Sequence, residues 1–361
     1  MVKLRECSHD DYDSVMALRK KFGMGTQDVS EWNNIWKYNP IYNEYNEKWP
    51  IGWVLEKAGL IVGYVGNTYI PYYYQNNRII AAVGISLVVD KGYRGFVLPL
   101  LDQLVNQNQP HVFLVTTANF AASKRLEAFK CKRVPNYYAP IYWIINYRSF
   151  INKIINIKGS IPRFMGHPAA IALSLRDKLF NNNLVLKIER KLNKYNFFDE
   201  KFNDFWEKLK NKYSNKLLCI RDSLNLNWHF NRKINKKEIL ILTDEQNDLL
   251  LSYAIFCINY ANPQGINKLE LVDFQTIDND YNILNQMISF AIREFRNSKL
   301  DILEVIGFDY GKRKVLESLH PYHRKIDHCP YYYKINKRKL PVLIDSPQIW
   351  DLCSYDGDAS L

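Results

Sequence analysis

The sequence predicts an α/β protein made of two tandem units, each a mixed central sheet flanked by helices, joined by a basic helical connector. Three observations predict it. At 361 residues the chain exceeds what one hydrophobic core usually supports. Strand-like runs alternate with amphipathic helical stretches along most of its length. Short blocks also recur in the same order at a nearly constant offset. Trp36-Lys37-Tyr38-Asn39 is echoed by Trp228-His229-Phe230-Asn231, and Gly63-Tyr64-Val65 by Ser252-Tyr253-Ala254. Leu87-Val88-Val89-Asp90 is echoed by Glu270-Leu271-Val272-Asp273, and Pro135-Asn136-Tyr137-Tyr138 by Pro330-Tyr331-Tyr332-Tyr333. The offsets are 192, 189, 183 and 195 residues, so the chain reads as a duplication.

In the first copy, residues 52–56 and 60–65 flank Lys57-Ala58-Gly59, a hairpin signal with a glycine turn. Residues 79–90 form a long apolar run rich in β-branched residues, as expected of a buried central strand. Leu98, Leu101, Leu104 and Val105 lie at helical spacing. A strand at 112–115, a helix over 121–129 and a tyrosine-rich strand at 137–147 complete the unit. The second copy repeats this order with strands at 239–242, 249–258 and 268–274, a helix over 281–295 and a strand at 301–306. The expected segments are 1–148 and 217–340 for the two units, 149–216 for the connector and 341–361 for a C-terminal tail.

Composition excludes several classes. With 47% apolar and 14% aromatic residues the chain is globular rather than disordered. Six widely spaced cysteines form neither a C-x-x-C pair nor a disulfide framework, so reduced, buried thiols and a cytoplasmic protein are expected. The seven histidines form no metal-like cluster, so no metal is expected. No run of about 18 apolar residues predicts a membrane span. The formal charge is +12, and residues 148–240 hold 20 Lys plus Arg against 8 Asp plus Glu, which is the whole excess. That segment reads as a solvated connector or as an attraction to an anionic surface; no nucleic-acid recognition motif accompanies it. Residues 161–175, apolar but short, read as packing between the units or as an interfacial membrane contact.

One block carries the chemistry. Residues 87–101, LVVDKGYRGFVLPLL, end a buried strand, turn through Tyr93-Arg94-Gly95 and begin an amphipathic helix at once. Such a turn places backbone N–H groups and the positive end of a helix dipole where a pyrophosphate would sit, and Arg94 adds a charge. This block resembles the strand–loop–helix motif of the GNAT acetyltransferase family, V-x-P-x-Y-R-G-x-G-x-G/A-x-x-L-L. Downstream, Thr116-Thr117-Ala118-Asn119-Phe120-Ala121-Ala122 resembles the family's N-x-x-A segment, which lies along the pantetheine arm. The resemblance covers the order of elements over about 1–145 and again over about 217–337.

The resemblance implies an N-acyltransferase, an N-acetyltransferase in the family's usual way, with acetyl-CoA or another acyl-CoA held by Leu87, Val88, Val89, Arg94, Gly95, Phe96, Val97, Leu98, Asn119 and Ala122. It also implies an oxyanion donor in the backbone near Val88 and Val89. Three departures accompany it. Val97 and Pro99 replace the later glycines, and a proline offers no N–H. Leu126 stands where the family often has a general-acid tyrosine. The second copy has Asp273-Phe274-Gln275-Thr276-Ile277-Asp278 in place of the arginine–glycine loop, so the acyl-CoA is expected in the first unit alone. Ser86, Glu56 and Tyr138 are the candidates for acid–base work, chosen for position near the strand ends. Trp36, Trp228 and Asp273 are the candidates for holding the acceptor, expected between the units as a small molecule, a sugar amine or a peptide. Two rival readings are an aminoacyl-tRNA-dependent transferase of the FemAB type and a non-catalytic binding protein of the same fold.

Overall fold

The computed structural model describes the chain except for residues 46–47, 136–138, 160–161, 181–189, 261–264, 279, 325–330 and 340–343. It opens with β1 (Lys3–Glu6) and the helices α1 (Tyr12–Lys21), α2 (Val29–Trp36) and α3 (Pro40–Glu44). A meander of β2 (Gly52–Lys57), β3 (Leu60–Tyr74) and β4 (Asn77–Val89) follows. Then come α4 (Val97–Val105), β5 (Val112–Val115), α5 (Phe120–Ala128), β6 (Lys132–Arg133) and β7 (Ile141–Ile144). The middle of the chain holds α6 (Tyr147–Lys158), α7 (Gly166–Phe180), β8 (Leu192–Tyr195), α8 (Lys201–Lys212) and β9 (Leu218–Cys219). The second half runs α9 (Ser223–Asn235), β10 (Ile239–Gln246), β11 (Leu249–Asn259), β12 (Lys268–Thr276), α10 (Asn282–Glu294), β13 (Ile302–Val305), α11 (Tyr310–Glu317), β14 (Tyr322–His323) and β15 (Tyr332–Ile335). Short 3-10 turns over 347–349, 354–356 and 358–360 end it.

Two mixed sheets result. The first has the order β1-β2-β3-β4-β5-β15-β6, with β9 beside β3; the second has the order β14-β7-β13-β12-β11-β10-β8. In both, a meander leads through a helix to a parallel neighbour: β4 with β5 across α4, and β12 with β13 across α10. The sheets exchange strands. β7 pairs antiparallel with β13 of the second sheet, and β15 pairs antiparallel with β5 of the first. The described part of the tyrosine-rich run, expected in the first unit, is therefore a strand of the second sheet; Tyr137 and Tyr138 lie outside the described residues.

The exchange gives the halves a common interior. One apolar cluster holds Tyr72, Ala81 and Leu114 from the first sheet together with Tyr253, Leu271 and Phe274 from the second. The middle segment is tied into the same body, because β8 pairs with β10 and α8 buries Phe202, Phe205, Trp206 and Leu209. Its cations reach acids elsewhere in the chain. Arg190 bonds Asp244 and Asp280, Lys201 bonds Glu245, Lys216 bonds Asp309, and Arg232 and Lys236 share Glu31. Of the helical connector expected over 149–216, residues 181–189 lie outside the description, and Leu192 begins a strand.

Helix starts follow local chemistry. Asn39, Asn119, Asn146, Asp222 and Asp309 each accept a backbone N–H from the first turn of the helix they precede. The described cysteines are buried with free thiols. Among the described residues no helix is long and apolar enough to cross a membrane.

Candidate active site

The parallel pairing of β4 with β5 covers only Ala81–Val83 against Val112–Leu114. Beyond Val83, β4 runs on to Val89 with its other edge on β3, and the two parallel strands diverge. Residues Ser86 and Leu87 stand opposite the single residue Val65, a bulge in which Ser86 takes a φ of +52°. A bulge re-aims the backbone locally, and a non-glycine residue in the left-handed region is a strained position of the kind that collects at working sites.

A cleft of about 670 Å³ opens in this divergence, a volume within the usual range for small-molecule sites. Its walls bring together both segments that the sequence singled out. From the first come Ser86, Leu87, Val89, Arg94 and Val97; from the second come Thr117, Asn119 and Ala122. Val88 points away into the core beneath α1 and α2. Gly95, Phe96 and Leu98 are exposed beside the cleft, on the turn and first helical residues that follow β4. The guanidinium of Arg94 makes no ion pair among the described residues, and Arg125 provides a second cation on the wall.

The turn itself is a 3-10 segment, Lys91–Phe96, held by Asp90, whose carboxylate accepts the Lys91 N–H and pairs with Lys21. The Val97 N–H is donated to the Arg94 carbonyl, and Pro99 has none to give. The helix start therefore offers an anion fewer donors than the resembling motif, which places more weight on Arg94. Asn119 caps α5 by accepting the Ala122 N–H at 2.9 Å, so it shapes the cleft wall through the helix start. Leu126, where the resemblance leads one to look for a phenol, is a buried apolar wall residue.

The acid–base candidates separate. Ser86 is in the cleft wall. Glu56 sits on β2, where its carboxylate is bonded by Arg5 at 2.7 Å. Tyr138 lies outside the described residues. The three acceptor candidates are packing residues in this fold. The Trp36 indole is buried and donates to the Asn67 carbonyl at 2.7 Å. Trp228 joins α9 to α2, donating to the Asn34 carbonyl at 2.7 Å while its own carbonyl accepts from the Asn34 amide at 3.2 Å.

Asp273 is buried against Arg221, which donates from Nε at 2.9 Å and from Nη2 at 3.1 Å. Tyr253 adds a hydroxyl donor at 2.7 Å. The Asp273 carboxylate is thus neutralised internally by Arg221. The space between β12 and β13 is taken by the chain's own end. Phe308 N–H donates to the Leu352 carbonyl at 2.7 Å, Ser354 donates to Glu270 at 2.5 Å, and the Cys353 thiol faces Asp273. Gly307, at a φ of +80°, is required by this contact: a Cβ there would stand 2.6 Å from the Leu352 carbonyl.

From the second half the tail continues into the cleft of the first. Asp358 and Ala359 line that cleft, and the Asp358 carboxylate accepts from Thr116 at 2.9 Å and from Thr117 at 3.1 and 3.2 Å. Burial raises the Asp358 pKa above the ordinary carboxylate value, and the two threonine bonds oppose that rise only in part. The turn is held from behind by His229, whose Nε2 lies 2.7 Å from the Ser360 hydroxyl. Burial lowers the His229 pKa to about 3, so the imidazole acts there as a neutral hydrogen-bonding group. A smaller cavity of about 250 Å³, lined by Lys233, Glu238, Asn259, Glu270 and Ser360, shares the wall residue Ala359 with the cleft.

Sequence reading missed Asp358 because its segment has no period. The available signal was the apolar set Trp350, Leu352, Cys353 and Tyr355, all buried, which marks 350–355 as packed chain.

No family model matches the sequence, and no curated protein matches it. Among solved structures, the chain is similar to Saccharomyces cerevisiae N-myristoyltransferase with bound myristoyl-CoA, at a TM-score of 0.56 and 13% identity over 92% of this chain and 78% of that chain. It is similar to a GCN5-related N-acetyltransferase from Anabaena variabilis at 0.55 and 13%, over 93% and 73%. It is also similar to a probable N-acyltransferase from Enterococcus faecalis at 0.56 and 9%, over 93% and 72%. At these identities the likeness concerns architecture: the chain folds as tandem GNAT-type units in an arrangement like that of N-myristoyltransferase.

Proposed function

We propose that this chain is an acyl-CoA-dependent N-acyltransferase, with the acyl-CoA in the cleft between β4 and β5. The observation that carries the reading is the convergence of Ser86–Val89, Arg94 and Thr117–Ala122 on one cleft at the point where two parallel strands part. The pantetheine arm, an extended chain with amides, suits the edge of β4 left without a strand partner beyond Val83. Arg94 and the helix start after it take the pyrophosphate. The backbone around the Ser86–Leu87 bulge faces the thioester carbonyl, where an N–H stabilises the oxyanion that forms when the amine attacks.

The acceptor amine approaches from the smaller cavity behind Ala359, so that Asp358 lies between the two entrances. Its carboxylate accepts the proton released as the nitrogen bonds to the acyl carbon, directly or through one water. The C–S bond then breaks, and the thiolate leaves with the proton returned to it. An acetyl group and a longer acyl chain both fit this description; the acceptor is a primary amine small enough to reach past Ala359.

The deciding experiment is calorimetric titration with acetyl-CoA and with longer acyl-CoAs, followed by release of free CoA in the presence of an amine library. Binding of one equivalent, followed by amine-dependent thiol release, is the expected result. Absence of CoA binding would refute the reading outright.

A further inference from the structure

Outside the cleft, the most unusual surface is the helical pair α6–α7. Six of the seventeen exposed large apolar side chains among the described residues fall between 157 and 179. Phe164 is 78% exposed and Leu179 75%, with Ile157, Met165, Ile171 and Leu175 at about half. Single exposed apolar residues are ordinary, but a contiguous group is not. Ile171, Leu175 and Leu179 follow one another at intervals of four, so they line one outward face of α7. The opposite face is already satisfied: Gly166 packs against Asn152 and Ile155 of α6, Ala170 is buried, and Asp177 is inside.

Cations lie on the flank of α7 and on the segments packed beside it. Arg148, Lys158, Lys178 and Arg296 are exposed and make no ion pair among the described residues. Lys178 stands one turn from Ser174 at the edge of the stripe. Together with Arg148, Arg293 and Arg296 these two line a cavity of about 460 Å³. Asp177 also faces that cavity, but its oxygens are occupied by the hydroxyls of Tyr147 and Tyr322, each at 2.8 Å, and by Arg176 at 2.9 Å. The cavity is left as a cationic pocket with a neutralised floor.

We infer that the outward face of α7 docks on an anionic lipid bilayer. Phe164, Met165, Ile171, Leu175 and Leu179 enter the boundary between headgroups and acyl chains, and the Arg148–Lys178–Arg296 pocket receives a headgroup phosphate. Exposed apolar area next to cations without ion pairs among the described residues is what an anionic lipid surface attracts, through apolar burial and charge together. Charge decides against the other occupants. A symmetric dimer through this face would oppose each cation with copies of the same set. A nucleic acid would satisfy the cations but leave the apolar stripe in water.

The test is co-flotation of the full chain with vesicles of equal parts phosphatidylglycerol and phosphatidylcholine, against vesicles of phosphatidylcholine alone. The wild type is expected to float with the anionic vesicles and to be released by raised salt. The triple variant Phe164→Ser, Leu175→Gln, Leu179→Gln should lose at least about a hundredfold in affinity, since three apolar side chains no longer leave water. The double variant Arg148→Gln, Lys178→Gln should weaken binding about tenfold or more and flatten its salt dependence. All five positions are at the surface, and unchanged melting temperatures would show that the fold is kept. Failure of the wild type to float, or a triple variant that floats as well as the wild type, overturns the inference. So does sedimentation showing a dimer that the triple variant dissociates without any vesicle binding.

Discussion

The hydroxyl of Thr116, buried behind the cleft wall, donates to the carboxylate of Asp358 at 2.9 Å, joining residues 242 positions apart. The neighbouring glycine explains how the chain end comes so close. A Cβ at Gly357 would fall 2.1 Å from the Thr116 hydroxyl, so only glycine permits the approach. The first prediction follows from this contact. Gly357→Ala should displace the last turn, lower the melting temperature and reduce amine-dependent thiol release, while acyl-CoA affinity changes little. Loss of acyl-CoA binding together with activity would show that the turn builds the donor site instead.

Asp358 itself should carry the pH dependence. Its pKa is raised by burial, so the ionised form needed to accept a proton gives way to the acid at higher pH than in a solvated aspartate. The acid limb of kcat/KM is therefore expected at higher pH than for a solvated aspartate. Asp358→Asn should remove that limb and lower kcat by about 10²–10⁴-fold, the usual contribution of a general base. A variant that keeps the limb would move the base elsewhere in the cleft.

Arg94 is predicted to act on binding alone. An acyl-CoA at a hundred times its dissociation constant should stabilise the protein by roughly 2.7 kcal/mol through linkage. Arg94→Glu should abolish that shift and leave the melting temperature without ligand unchanged, because the side chain is exposed and has no ion pair to lose among the described residues. The measurement is a thermal-shift titration of both proteins, and an unaltered shift in the variant would remove the loop from the site.

Asp356 offers a test of the buried charge cluster beneath the tail. Burial raises its carboxyl to about 6, although Arg221 pulls the other way. The folded state then binds a proton that the unfolded chain has already released. Stability from this group is greatest at or below the unfolded value near 4 and falls as pH rises to about 6. Asp356→Asn should remove this slope, so the difference in unfolding free energy between wild type and variant should shift in the variant's favour from pH 5 to pH 7. Urea melts at a series of pH values measure it; a pH-independent difference would contradict the assignment.

The residues explain how far sequence reading could go. The run 79–90 is β-branched and bounded by a turn, so β4 was legible, as was α4 from the spacing of Leu98, Leu101, Leu104 and Val105. Arg94 and Asn119 were singled out from a turn and from a family resemblance, and both prove to line one cleft. The strand exchange was not legible, because β7 and β15 are short apolar segments that pair equally well with either sheet; only the long-range packing chooses. Asp273 was misjudged for a related reason. Its acidity is visible in sequence, but its partner Arg221 is 52 residues away and no spacing rule connects them.

That pair supports the last prediction. Arg221 is fully buried, donates twice to Asp273 and once to the Cys219 carbonyl at 2.7 Å, and lies under the Tyr355 ring with its carbon 5.0 Å from the ring centre. It therefore fixes β9, β12 and the tail at a single point. Removing the cation alone, by Arg221→Met, strands Asp273 in the core and should cost about 3–5 kcal/mol. Removing the anion alone, by Asp273→Leu, leaves Arg221 with Asp356 at 3.7 Å and should cost somewhat less. The double variant buries two apolar side chains in place of two charges, and desolvation no longer opposes folding there, so most of the loss should be recovered. Urea denaturation of the four proteins gives the coupling energy directly. A double variant as unstable as the sum of the singles would mean that each side chain holds the tail through separate contacts and that the ion pair is incidental.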